Sequence, residues 1–200
     1  MARALALGFL IGFPIAASPG PIFFLVLRRT LARGWRSGLI SGVGVATGDA
    51  IYAALAAFGV GAVTNLLVAE RRWISLVGGI GLVIIGVRTI VGRSSPTLPT
   101  RGRDVSTYVS TVALTLSNPA TILSFAAVFA GLGLRVSSGW PSASALVVGV
   151  MLGSVLWWVV LTAIVAAARE RLTAPITRAI AVVSGVAIVA FGAAIVVAAR

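Results

Sequence analysis

Long apolar runs separated by short arginine-bearing segments dominate this chain, and several show no polar face. The stretch "VGGIGLVIIGV" (77–87) is apolar or glycine at every position. A soluble amphipathic helix would show polar residues on one side, so such runs predict helices buried all round in lipid or in a bundle. A span needs about 20 apolar residues to cross a hydrocarbon core of about 30 Å. On that basis the pattern predicts six spans, at 5–27, 38–64, 73–92, 105–132, 142–168 and 173–198. The second, fourth and fifth are long enough to tilt or to extend past the bilayer.

Two runs are interrupted. "AASPGPIFF" (16–24) sets Pro19, Gly20 and Pro21 inside the first, and "SNPAT" (117–121) sets Asn118 and Pro119 inside the fourth. A proline removes a backbone hydrogen bond, and lipid supplies no replacement. Pro19 and Pro119 each lie about fourteen residues into their runs, or about 20 Å at 1.5 Å per residue, close to the bilayer midplane. Both spans are expected to unwind there and to restart as half-helices. Their free N–H groups and positive dipole ends suit a carboxylate.

Composition agrees with the pattern. The 200 residues are 59% hydrophobic and only 10% charged, where ordinary soluble domains carry about 25% charged residues. The net charge of +12 comes wholly from arginine among the basic residues, set against four acids. These arginines sit mostly between the apolar runs, where they read as topology signals and not as a nucleic-acid surface. The segments near 28–37, 93–104 and 169–172, with their flanks, hold most of them. The positive-inside bias therefore places those three loops in the cytoplasm and both termini outside. The start of the chain imitates a signal peptide, but its apolar run continues to Leu27 and reads as a retained span. Cysteine and histidine are absent, which excludes disulfide exchange and the usual soft-metal ligands. No cofactor or metal site is expected.

The two halves resemble each other. "VGGIGLVIIGVRTIV" (77–91) aligns on "VSGVAIVAFGAAIVV" (183–197), pairing Gly79 with Gly185 and Gly86 with Gly192. "GVATGDAIY" (44–52) aligns on "GVMLGSVLW" (149–157), pairing Asp49 with Ser154 and Tyr52 with Trp157, and "SPGP" (18–21) falls on "NPAT". Three spans per half is an odd number, so the second copy crosses in the opposite sense. The expected fold is an all-α integral membrane protein of six transmembrane helices. They form two inverted three-helix repeats with broken first and fourth helices, a plan common among secondary transporters. The chain reads as a single membrane domain, 1–200. Repeat one covers about 1–92, a cytoplasmic linker about 93–104, and repeat two about 105–200.

Asp49 is the one acid inside a predicted span. An ionised Asp near the midplane costs about 2.5–3.5 kcal/mol on insertion scales, so it should face an interior or a cavity. It reads as a proton-coupling or substrate-ammonium site, with Arg88 on the third span as an alternative ion-pair partner. Tyr52 and Trp157, about one turn beyond Asp49 and Ser154, could hold an ammonium by cation–π contact; packing accounts for them as well. The GxxxG pairs Gly38/Gly42 and Gly44/Gly48 read as helix-packing faces. No phosphate loop, nucleophile–base pair or metal cluster is visible, so an enzyme lacks machinery.

At these residues the chain resembles the LysE/RhtB family of amino-acid exporters. "SPGP", the basic "RRTLARGWRSG" loop, "GVATGD" and "SNPAT" carry the resemblance. It implies secondary export of amino acids or related metabolites, driven by protons, from a bacterial inner membrane. By position, Ser18, Pro19, Gly20, Pro21 and Ile22, with Asn118, Pro119, Ala120 and Thr121, would bind substrate, and Asp49 would couple the proton. The family commonly has Asn where this chain has Ile22 and Lys where it has Ala120, which leaves the substrate open. The expected partners are a small molecule, protons and the lipid bilayer, with a homo-oligomer also compatible. Export of an inorganic or metal cation, or a non-transporting membrane scaffold, are the alternative readings.

Overall fold

The computed structural model describes residues 1–58, 70–91, 101–118, 121–122, 124–125, 139–169 and 173–199. These residues form seven long helices: α1 (Ala2–Ala17), α2 (Pro21–Arg33), α3 (Trp35–Ala57), α4 (Arg71–Val91), α5 (Arg101–Leu116), α6 (Gly139–Arg169) and α7 (Ala174–Ala198). Among the described residues, three stretches are long and apolar enough to cross a membrane: Trp35–Ala57, Gly139–Arg169 and Arg178–Ala198. The pair α1 and α2 makes a fourth, bent by 75°. The first run is therefore more than kinked at "SPGP". It turns sharply and continues to Arg33, six residues past its predicted end. The stretches 59–64 and 126–132, assigned to the second and fourth spans, and most of the expected linker lie outside the described residues.

A single residue, Gly34, turns α2 into α3, with φ at 85°, a region that favours glycine because other residues clash there through Cβ. From there α3 runs through the centre, against α6, α5 and α2. α1 packs along α6, α4 along α7, and α2 touches both α3 and α7.

Small residues set these distances, because lipid tails provide no hydrophobic drive between helices and close backbone approach must substitute for it. A Cβ on Gly8 or Gly12 of α1 would collide with the backbone of Leu146 or Val150, and one on Gly149 or Gly153 of α6 with that of Leu5 or Phe9. On α3 the two GxxxG pairs serve different neighbours. Gly38 and Gly42 abut Thr162 and Trp158 of α6, while Gly44 and Gly48 abut Thr111 and Thr115 of α5. Between α4 and α7, a Cβ on Gly79 would come within 2.9 Å of the Gly192 carbonyl, and one on Gly86 within 2.9 Å of the Gly185 carbonyl.

The sorting of side chains is the reverse of a soluble protein. α6 exposes Val148, Leu152, Leu156 and Val160, one stripe at i, i+4 spacing, while Ser154 and Thr162 are fully buried. Hydrocarbon solvates the outer stripe, and the polar groups find hydrogen bonds inside. Trp35, Trp73 and Trp140 are exposed near the starts of α3, α4 and α6, where amphipathic rings sit at headgroup level.

Candidate functional site

The site grows from the two breaks. α1 stops at Ser18, whose hydroxyl donates back to the Pro14 carbonyl at 3.1 Å. Gly20 is extended and Pro21 opens α2. Proline suits that first position because its missing N–H would have no helical acceptor anyway. α2 has no side-chain cap, and its first intrahelical-type bond runs from the Phe24 N–H to the Gly20 carbonyl. The N–H groups of Ile22 and Phe23 therefore have no helical acceptor.

The second break mirrors this arrangement. α5 ends at Leu116, and the Asn118 carbonyl accepts from the N–H groups of both Thr121 and Ile122 at 3.1 and 3.2 Å. The Asn118 amide also donates to Thr121 Oγ1 at 3.0 Å. Asn118 thus closes one helical segment and opens the next. Pro119 and Ala120, assigned to the substrate site from the sequence, lie outside the described residues.

Between the breaks lies a cavity of about 100 Å³, room for a few waters or a small ligand group. Ser18, Pro19, Gly20, Pro21 and Ile22 line one side, and Asn118 and Thr121 line another. Asp49 of α3 lines it too and is buried. Its Oδ2 accepts a hydrogen bond from the Ser154 hydroxyl of α6 at 2.8 Å, a normal O–H···O length. No other hydrogen bond to Asp49 is present among the described residues. Ser124 adds a further polar lining residue, and Ala16, Val45, Phe23 and Trp158 make up much of the apolar wall. A Cβ at Gly20 would meet nothing within 4 Å, as expected for backbone facing open space.

Other residues singled out from the sequence take different places. Tyr52 donates its hydroxyl to the Leu116 carbonyl and stacks on Phe125 at 6.0 Å, so it ties α3 to the end of α5. Trp157 meets Phe13 edge-on at 5.6 Å. Neither lines the cavity. Arg88 is exposed on α4 and makes no ion pair with Asp49.

Trp158 is the lining residue that sequence reasoning passed over in favour of its neighbour. It lies four residues after Ser154, on the same face of α6, and that spacing was the available signal. Its ring is buried and its indole N–H has no hydrogen-bond partner among the described residues. Arg29 was also passed over, having been read as part of a basic loop. Its guanidinium reaches inward to α3 and α5.

Comparison with known proteins agrees with this architecture. A family model described as LysE type translocator matches residues 13–199. The membrane protein YahN of Escherichia coli K12 is 31% identical over 152 residues, covering 72% of this chain and 67% of its own. ChpE of Pseudomonas aeruginosa, named as a chemotactic transduction protein, is 32% identical over 157 residues, covering 74% of this chain and 75% of its own. YcgF of Bacillus subtilis 168, named as an amino acid efflux candidate, is 23% identical over 190 residues, covering 91% and 90%. No solved structure matches. With its broken first span, its buried Asp49 and a family match over nearly its whole length, the chain belongs to the LysE type translocator family of membrane proteins.

Proposed function

We propose that this translocator exports an amino acid or a similarly small zwitterionic metabolite, exchanging it for protons by alternating access about the cavity between the two breaks. The observation that carries the reading is the Asp49–Ser154 hydrogen bond beside that cavity. These are the two positions that align between the halves, so the carboxylate sits on the seam where inverted repeats place their substrate and ion sites.

The repeat reading has support in the packing. Gly79 meets Gly192 and Gly86 meets Gly185, and exchanging the halves turns each contact into the other. In the same way, the contact of α1 with α6 exchanges with that of α5 with α3. The six-span count and the placement of both termini outside belong to this proposal, as does a cytoplasmic location for the loops bearing Arg28–Arg36, 93–104 and 169–172.

Roles follow from the donors and acceptors. The N–H groups of Ile22 and Phe23, at the positive end of α2, offer two hydrogen bonds to a carboxylate. Thr121 and Asn118 can add side-chain contacts from the opposite wall. Asp49 is the group able to take up a proton or to pair with an ammonium, so one side chain can exchange proton for substrate. Ile22 adds no polar group, so recognition rests on the charged ends of the substrate more than on its side chain. The relative named for amino acid efflux is consistent with such cargo.

The test is efflux of a panel of labelled amino acids from proteoliposomes under an imposed proton gradient. Asp49→Asn keeps the size and an acceptor oxygen but cannot cycle a proton. It should abolish gradient-driven efflux while leaving the purified protein folded. Efflux equal to the unaltered protein would refute the role given to Asp49.

A further inference from the structure

A seam leads from the cavity toward one end of the molecule, and each of its three helices supplies matching positions. On α3, Asp49 and Val45 line the cavity, and Ser41 follows on the same face at the next four-residue step. On α2, Ile22 lines the cavity, with Val26 and Arg29 at i+4 and i+7. Asn118, two residues past the end of α5, lines it as well, and Thr111 lies further back on α5. Side chains at these spacings share a helix face. From Ile22 to Arg29 the rise is about 10 Å. Val26 and Val45, both buried in one apolar cluster with Trp158, close the space between.

Arg29 fills the far end of the seam. Its Nη1 donates to the Ser41 hydroxyl at 3.1 Å, the Thr111 hydroxyl at 2.6 Å and the Thr107 carbonyl at 3.2 Å. Its Nη2 donates to the Ser110 hydroxyl at 3.0 Å. Every one of these acceptors is neutral. The ion pair found among the described residues, Arg36 with Asp104, lies about one turn further along the same face of α5, with Arg36 exposed and Asp104 half-buried, and Arg29 takes no part in it. A half-buried cation without a counter-charge is costly, and packing does not require it here. The three hydroxyls already donate to carbonyls on their own helices, at Ser37 and Thr107. Removing Arg29 would leave none of their hydrogens unpaired.

The opposite end of the same site is different in kind. There Ile11, Ala53, Ala57, Leu146, Val150 and Phe125 pack into an apolar cluster. The position aligned with Ser41 in the second half is Leu146. A pair of inverted repeats would make the two ends alike if nothing distinguished them, so the positive, hydroxyl-lined cluster at Arg29 is a departure from that symmetry.

We infer that Arg29, with the hydroxyls of Ser41, Ser110 and Thr111, forms an entry station for a carboxylate at the end of the α2/α3/α5 seam, from which the carboxylate passes Val26 and Val45 to reach the cavity. The inference rests on the transport reading above and names the chemistry by which one mouth selects its cargo. The planar guanidinium offers paired donors that match a carboxylate. The hydroxyls can redirect their hydrogens from the backbone carbonyls to the anion when it arrives. Arg29 then exchanges neutral partners for a charged one, and the collar opens behind it.

The chain contains no cysteine, so single introduced thiols report cleanly on access. Val45→Cys and, separately, Ile22→Cys would be reconstituted in liposomes and modified from each face with methanethiosulfonates of opposite charge, sulfonatoethyl and trimethylammonioethyl. From the Arg29 face the anionic reagent should react about tenfold faster than the cationic one, because a like-signed mouth raises local counter-ion concentration by at least that factor. Arg29→Gln should bring the ratio close to one. Arg29→Lys should keep the charge preference but lose protection by acetate, which needs the forked donor. Sodium acetate should slow modification more than sodium chloride at equal concentration; equal protection by chloride would overturn the carboxylate assignment. A charge ratio unmoved by Arg29→Gln, or modification of both thiols from the opposite face alone, would overturn the station itself. Absence of any charge preference with Arg29 intact, while amino-acid efflux by the unaltered protein is present, sinks the station and leaves the transport reading standing. Charge preference without efflux supports the station and sinks the transport reading.

Discussion

Replacing Ser154 with Ala removes the one donor to Asp49 among the described residues, and the cost can be worked out in advance. The bond is 2.8 Å long, and its two residues are 0% and 2% exposed, so bulk solvent has little access to the place of the lost donor. In soluble proteins, leaving a buried polar group unsatisfied costs about 1–3 kcal/mol. Between membrane helices, measured couplings average about 0.6 kcal/mol and reach about 1.7, because the unfolded chain in lipid also finds partners. A carboxylate acceptor with so little access to solvent belongs at the upper end, so about 1–2 kcal/mol is expected. That is a factor of about 5–30 in the folding equilibrium. The assay is a double-mutant cycle on unfolding free energy in bicelles or mild detergent. Ser154→Ala should cost about 1–2 kcal/mol with Asp49 present and less than about 0.5 kcal/mol in an Asp49→Val background, where no acceptor remains. Equal costs in both backgrounds would refute the pairing, and with it the placement of Asp49 on the seam between halves.

Four further outcomes check other parts of the structure. Gly79→Leu should lower stability by at least the 1–3 kcal/mol typical of overpacking, since its first carbon already meets the Gly192 carbonyl; Gly20→Ala should leave thermal stability unchanged, because its φ of −158° is open to any residue and the added methyl meets nothing. Tyr52→Phe should cost about 0.5–1.5 kcal/mol through the lost bond to the Leu116 carbonyl; under the transport proposal it should leave substrate preference unchanged, since Tyr52 does not line the cavity. Arg36→Ala should change stability by no more than about 1 kcal/mol, an effect that high salt reduces, because Arg36 is largely exposed in its ion pair with Asp104.

Local chemistry made much of this readable. Proline and glycine act on the backbone wherever they stand, so "SPGP" announced a break before any partner was known. Asn118 before Pro119 did the same for the second break, since the residue before proline is held out of the helical region. Asp49 was conspicuous because a carboxylate at that depth needs an interior. Tyr52 and Trp157 were harder. An aromatic side chain serves packing, hydrogen bonding or ligand contact equally well, and its rotamer and neighbours decide which. Here the Tyr52 hydroxyl found the Leu116 carbonyl, while the unremarked Trp158 turned toward the cavity.

By itself the sequence determined that this chain is helical and lipid-solvated, where its first span breaks, and which carboxylate lies inside. These are consequences of hydrophobicity and backbone sterics, which depend on a residue and its near neighbours. Only the tertiary structure decided that Asp49 meets Ser154 and not Arg88, that the first break turns through 75°, and that Arg29 faces inward. Each of those depends on which helix lies opposite, at what height and in which direction. Glycine contacts such as Gly42 against Trp158 and Gly44 against Thr111 fix that register, and no span carries it alone.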